Sequence, residues 1–113
     1  DFPVVQKGKE VRFNDRFREE GTNVNFVEVG EKGRLQVRTY ERGVEDETLA
    51  CGTGVTAAAI TMHKRGEIDS SEVDIKALGG DLKVLFEEQP NNGYTNIWLQ
   101  GPAEFVFNGS RDV

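Results

Sequence analysis

The one thiol of this 113-residue chain, Cys51, opens the run Cys51-Gly52-Thr53-Gly54. Glu41 and Arg42 stand upstream of it, followed by an acidic stretch, Glu45-Asp46-Glu47, and then Thr48-Leu49-Ala50. A thiol can accept and return a proton. Gly52 and Gly54 let a ligand come close to the backbone. A helix starting here presents unpaired N–H groups and its positive dipole end to an anion. Taken together, these features suit proton transfer next to a carboxylate.

A lone cysteine is most often a small buried apolar group, but the flanks of Cys51 argue otherwise. A helix N-terminus favours the thiolate, which serves as a nucleophile or as a general acid/base. Nucleophilic catalysis needs a nearby imidazole. The sole histidine, His63, follows on the same helix about three turns away, too far to meet the thiol. Proton transfer is the better reading. Gly52-Thr53-Gly54-Val55-Thr56-Ala57 also fits G-x-G-x-x-A. A dinucleotide site would need a parallel strand directly before it and alternating β/α units after it, and the pattern here supplies neither.

The elements that must hold these residues can be read from hydropathy. Residues 23–29 and 34–40 are strand-like, and Gly30-Glu31-Lys32-Gly33 makes the turn of a hairpin. Folding about that turn pairs Val29 with Arg34, Phe26 with Val37, and Val24 with Thr39. Phe26, Val24, Val37, Thr39 and Leu35 would then share a face, and Asn23 would lie opposite Tyr40, beside Glu41. Asn23, Glu41 and Arg42 would offer amide, acid and guanidinium to a ligand with amine and carboxylate groups.

Residues 53–65 read as a helix, apolar nearly all round and therefore buried. Lys64 and Arg65 suit its C-terminal dipole end, and Gly66 its C′ position. His63 serves the same end. Further strands are expected at 72–78, 81–87, 96–100 and 103–107, with Trp98, Phe105 and Phe107 in the core. Residues 1–20 are mostly charged, with room for one short strand. The acids of the 45–47 loop read as a solvated face. The fold class is α+β: an antiparallel or mixed sheet curled around one central helix, in a single domain, 1–113, that is incomplete.

Composition narrows the function classes. The net charge of −6 argues against nucleic-acid or anionic-membrane partners. One cysteine rules out an internal disulfide, and with one distant histidine it is too little for a zinc site. An unpaired thiol fits a reducing compartment, so a cytoplasmic location is expected. No apolar run reaches transmembrane length, and the first residues do not resemble a signal peptide.

The chain resembles the diaminopimelate epimerases. The resemblance rests on Gly21-Thr22-Asn23-Val24-Asn25-Phe26-Val27-Glu28-Val29, Glu41-Arg42-Gly43 and Glu47-Thr48-Leu49-Ala50-Cys51-Gly52-Thr53-Gly54. It continues through Gly79-Gly80-Asp81-Leu82 and Gly101-Pro102-Ala103-Glu104-Phe105-Val106-Phe107. It implies a cofactor-independent isomerase of two similar halves, each giving one cysteine to a site between helix N-termini. One thiolate would remove the α-proton of an amino acid, and the other thiol would return a proton to the opposite face.

On this resemblance Cys51 is one of the pair, and the Gly52 and Thr53 amides hold the reacting carboxylate. Asn23, Glu41 and Arg42 hold the amine and the distal end. No cofactor or metal is implied. The chain would be the later part of the second half, with half a site, awaiting the other half as partner and able to form a homodimer. The loop around Val44-Glu45-Asp46-Glu47 is one residue longer than the family's usual form and should bulge outward. Two other readings stay open: another isomerase of the same fold with a different substrate, and a non-catalytic binding or assembly domain.

Overall fold

Alternation along one strand organises the molecule. In the computed structural model, which describes residues 1–113, strand β1 (Val24–Val29) pairs antiparallel with β2 (Leu35–Glu41). Leu35, Val37 and Thr39 of β2 are buried on one face, and Tyr40 is buried on the other. The far edge of β2 is shared. The short β3 (Asp46–Thr48) lies antiparallel along Thr39–Glu41, and β4 (Glu72–Ala77) lies parallel along Leu35–Val37. β5 (Gly80–Glu88) and β6 (Tyr94–Gln100) extend the sheet antiparallel, giving six strands with β1 and β6 at the ends.

Parallel strands need a crossover. Helix α2 (Gly52–Lys64) lies within that crossover and packs on the sheet. Val55, Ala58 and Ala59 meet Leu35, Val37, Val73, Ile75, Val84 and Phe86, with Ile68 closing the lower end. Each strand sends alternate residues to this face, as a half-buried sheet requires. α2 touches both end strands, so the sheet curls around it as expected. The helix ends in a Schellman motif. Gly66 has φ +80°, the Glu67 amide donates to the Met62 carbonyl, and the Gly66 amide donates to that of His63.

Several expectations need correction. The hairpin register is one residue off: Val24 pairs with Tyr40 and Val29 with Leu35. The connection is longer than a four-residue turn, because Lys32 and Gly33 are both left-handed and the Gly30 amide closes on the Arg34 carbonyl. Because strand side chains alternate, this slip turns β1 over. Asn25 and Val27, not Val24 and Phe26, share the α2 face with Thr39 and Val37. Phe26 faces the other way and packs on Phe2, ring centres 4.7 Å apart.

The N-terminal segment forms a helix, α1 (Val4–Arg12), not a strand. Val4 and Gly8 recur at helical spacing and bury against the outer face, where a Cβ on Gly8 would stand 2.4 Å from the Tyr40 Cβ. Valine and glycine are poor helix formers, so docking on the sheet decides this element. α2 is not buried all round either, since Thr53, Ala57, Thr61 and Lys64 form an exposed stripe. Its alanines made the whole circumference read as apolar, yet alanine tolerates both settings.

Residues 103–107 form no strand and pair with no edge of the sheet. Phe105 and Phe107 are exposed, as is Trp98, which lies on the outer sheet face opposite Leu85, beyond the reach of α1. No helix is long and apolar enough to cross a membrane.

Candidate active site

Cys51 is the N-cap of α2, with extended backbone (φ −128°, ψ 112°). Its carbonyl accepts the Val55 amide at 2.9 Å, closing the first turn. The amides of Gly52, Thr53 and Gly54 have no carbonyl behind them within the helix. Cys51 Sγ makes no capping bond. It lies 3.9 Å from Asn23 Nδ2, which donates to it, and 3.4 Å from Thr53 Oγ1.

Asn23 links two elements, because its Oδ1 also accepts the Arg42 amide at 2.8 Å. One carboxamide thus joins the end of β2 to the start of α2. Extending the observed register sets Asn23 opposite Glu41, on the face that α2 covers. The expectation that Asn23 lies beside Glu41 holds, although the expected cross-strand partner, Tyr40, is off by one. Glu41 makes no ion pair or side-chain hydrogen bond within the chain. The Arg42 guanidinium donates to the Glu20 carbonyl at 2.8 Å and has no acidic partner. Cys51, Asn23 and Thr53 are therefore in contact and the Arg42 backbone is tied to Asn23, while Gly52 and Glu41 are chain neighbours of Cys51 and Arg42. The acid and the guanidinium do not pair with each other.

The acidic loop is a solvated face only in part: Asp46 is exposed, but Glu45 and Glu47 are half-buried. Glu45 adopts φ +56° and turns its carboxylate inward. The carboxylate accepts from the Gly43 amide at 3.0 Å, the Tyr40 hydroxyl at 3.0 Å and Arg12 Nε at 3.2 Å. The Gly43 amide is the main reason the Glu45 carboxyl is held below the usual carboxylate range, with the Tyr40 hydroxyl and Arg12 acting in the same direction. Burial and the Glu45 charge together push the Tyr40 hydroxyl up. Glu47 forms a two-pronged pair with Arg38, both bonds at 2.7 Å, which raises the Arg38 guanidinium further. The turn that carries Arg42 is therefore pinned to α1 and β2.

His63 lies at the far end of α2. Its Nδ1 is 2.9 Å from the Tyr94 hydroxyl, and its ring packs edge-on against Phe86 and Tyr94. It anchors the helix to β5 and β6, and it does not reach Cys51. His63 lines a surface cavity with Tyr94 and Glu88, away from Cys51, which is itself partly exposed.

Sequence reasoning missed two features here: the Thr53 hydroxyl beside the thiol, and Asn25 beneath the helix. The word Asn23-Val24-Asn25 carried a signal for the second, since a spacing of two places both amides on one strand face.

The family model described as diaminopimelate epimerase matches residues 2–106. The diaminopimelate epimerase of Flavobacterium psychrophilum is 48% identical over 107 residues, which cover 95% of this chain and 41% of that protein. The Chlorobaculum tepidum enzyme of the same name is 44% identical over 108 residues, covering 95% of this chain and 40% of that protein. The chain thus spans about two fifths of the length of these curated relatives. A solved structure, the Bacillus anthracis phenazine biosynthesis protein of the PhzF family, shares the fold. It superposes with a TM-score of 0.59 at 17% identity, covering 80% of this chain and 27% of that one. With its Glu-Arg-Gly turn and Cys-Gly-Thr-Gly helix start joined through Asn23, and with the family model matched over almost its whole length, the chain belongs to the diaminopimelate epimerase family.

Proposed function

We propose that this chain supplies one half of the site of an amino-acid epimerase that interconverts LL- and meso-diaminopimelate without pyridoxal phosphate, in the cytoplasm, on the route to lysine. Cys51 acts as one of two acid/base groups. Its thiolate takes the α-proton from one face of the substrate, or its thiol returns one. A second thiol, from the rest of the protein, works on the opposite face. Two groups are needed because a single base tends to return the proton to the face it came from. The Gly52 and Thr53 amides hold the α-carboxylate, and their fixed dipoles stabilise the enolate-like charge that develops in the transition state. Asn23, Glu41 and Arg42 hold the amine and the distal end. Glu41 and Arg42 are suited to this because neither is consumed by an internal ion pair.

The observation that carries the reading is the Cys51 sulfur at a helix N-cap, flanked by Asn23 Nδ2 at 3.9 Å and Thr53 Oγ1 at 3.4 Å. The partner that completes the site is the other half of the enzyme. The test is α-proton exchange of diaminopimelate in deuterated water, followed by NMR. The full-length enzyme containing this chain should incorporate deuterium with inversion. Cys51→Ser and Cys51→Ala should fold and lose nearly all of it, since a hydroxyl is a far weaker acid than a thiol. Near-normal turnover in either folded variant would overturn the assignment. The isolated 113-residue chain should not exchange at an enzymatic rate, and rapid exchange with inversion there would show that the second base lies within it.

A further inference from the structure

The sheet face beneath α2 is apolar along most of the helix and turns polar toward its first turn. Val27 and Val37 lie side by side at one level, and Asn25, Thr39 and Thr48 lie side by side at the next. Thr39 is 2% exposed. Its hydroxyl donates to Asn25 Oδ1 at 2.7 Å, which fixes the orientation of the amide. Buried hydroxyls need such partners. The Thr48 hydroxyl is buried in the same row and has none.

The Asn25 amide sits directly against the first turn of α2. A Cβ on Gly54 would stand 2.6 Å from Asn25 Oδ1, 2.8 Å from Nδ2 and 3.0 Å from Cγ. Only a residue without a side chain lets the helix come this close. Gly54 is in the same hydrogen-bonded turn as Cys51, whose carbonyl takes the Val55 amide. The height of that turn above Asn25 therefore sets where the thiol and the free amides stand. It also sets the 3.9 Å approach of Asn23 to the sulfur, because Asn23 and Asn25 follow one another on the same side of the chain.

We propose that Asn25, held by Thr39, is a positioning residue for Cys51: with Gly54 it seats the first turn of α2 on the sheet. The proposal rests on Cys51 being an acid/base group. It goes beyond that reading by assigning reaction geometry to a contact that touches no substrate.

The test uses the full-length enzyme with Gly54→Ala, Asn25→Ser and the two combined. It measures kcat, KM and the rate at which iodoacetamide alkylates Cys51, the last followed on the Cys51 peptide by mass spectrometry. All are taken well below each variant's Tm. Gly54→Ala should lower kcat by about tenfold or more, because a small misplacement of reacting groups is costly, while KM moves by less than about threefold. Its Cys51 alkylation rate should change several-fold in parallel.

Asn25→Ser frees the space the new Cβ needs and keeps an oxygen for Thr39. Adding it to Gly54→Ala should bring kcat back to within about threefold of Asn25→Ser alone, the coupling expected of residues in contact. A folded Gly54→Ala enzyme with wild-type kcat and alkylation rate would overturn the proposal. So would a combined variant that regains its Tm but stays as slow as Gly54→Ala.

Should Gly54→Ala fail to fold, Asn25→Ser alone decides. It should keep the far-ultraviolet spectrum, slow kcat severalfold and alter alkylation of Cys51. If neither rate moves, the proposal falls. Turnover by a Cys51→Ala enzyme would instead remove the acid/base reading. The alkylation rates would still judge the positioning, since they do not depend on turnover.

Discussion

At the scale of single residues, the site is held by amides and carboxylates that each serve two elements. Asn23 binds the Arg42 backbone with one atom and faces the Cys51 sulfur with the other. Glu45 joins α1, β2 and the turn at Gly43 through one carboxylate. The Glu45 carboxyl is held below its ordinary value of 4.5, first by the Gly43 amide. A depressed carboxyl adds stability that is present above the unfolded value and lost as pH falls through the folded one. Glu45→Gln should therefore be less stable than the parent at pH 7, and the gap should close as pH drops below about 4.5, where the parent loses its advantage. Urea unfolding of both proteins at pH 7 and in acid measures this. A gap that widens in acid would mean that Glu45 is not paired as described.

At the scale of elements, two glycines test different physics. Gly66 closes α2 in a left-handed conformation with open space around it. Gly66→Ala should cost about 1 kcal/mol through backbone strain alone and leave the packing unchanged. Gly8 sits mid-helix in α1, pressed against Tyr40. Gly8→Ala puts a methyl into filled space, an overpacking that costs about 1–3 kcal/mol. Because α1 is a weak helix by itself, it should respond by lifting off the sheet. Amide hydrogen exchange should then show α1 losing protection while α2 and β4 keep theirs. Uniform loss across both helices would show that α1 folds in one cooperative unit with the core. Release of α1 would also free Arg12 from Glu45, connecting an outer helix to the turn that carries Arg42.

At the scale of the whole molecule, one face of the sheet is well covered and the other only in part. α1 shields the β1 and β2 end, while Trp98 remains 69% exposed on the outer face. Phe105 and Phe107 are each 79% exposed in a segment without strand pairing, and β1 and β6 are free edges. Edges and apolar patches of this kind tend to find another chain. The isolated 113-residue chain should self-associate as its concentration rises, and Trp98→Lys with Phe107→Lys should weaken that association. Sedimentation over a range of concentrations checks both. A stable monomer at high concentration would show that these surfaces are tolerated in water.

The sequence by itself determined the α+β class, the extent of α2, its Gly66 stop and the place of Cys51 at its mouth. Local physics settles each of these: an apolar period of helical length, a residue free to adopt positive φ, and small residues where a helix begins. It also brought Asn23 beside Glu41, because a hairpin joins its strand ends whichever register it takes. Tertiary structure decided the rest. The register of β1 depends on how the turn at Lys32 and Gly33 closes, and one residue of slip moved Asn25 to the helix face and Phe26 away from it. α1 exists because Tyr40 gives Gly8 a surface to rest on. Residues 103–107 have the composition of a strand yet pair with no edge of the sheet. Side-chain pattern sets which face a residue can present; only the neighbouring element decides whether that face is covered, and by what.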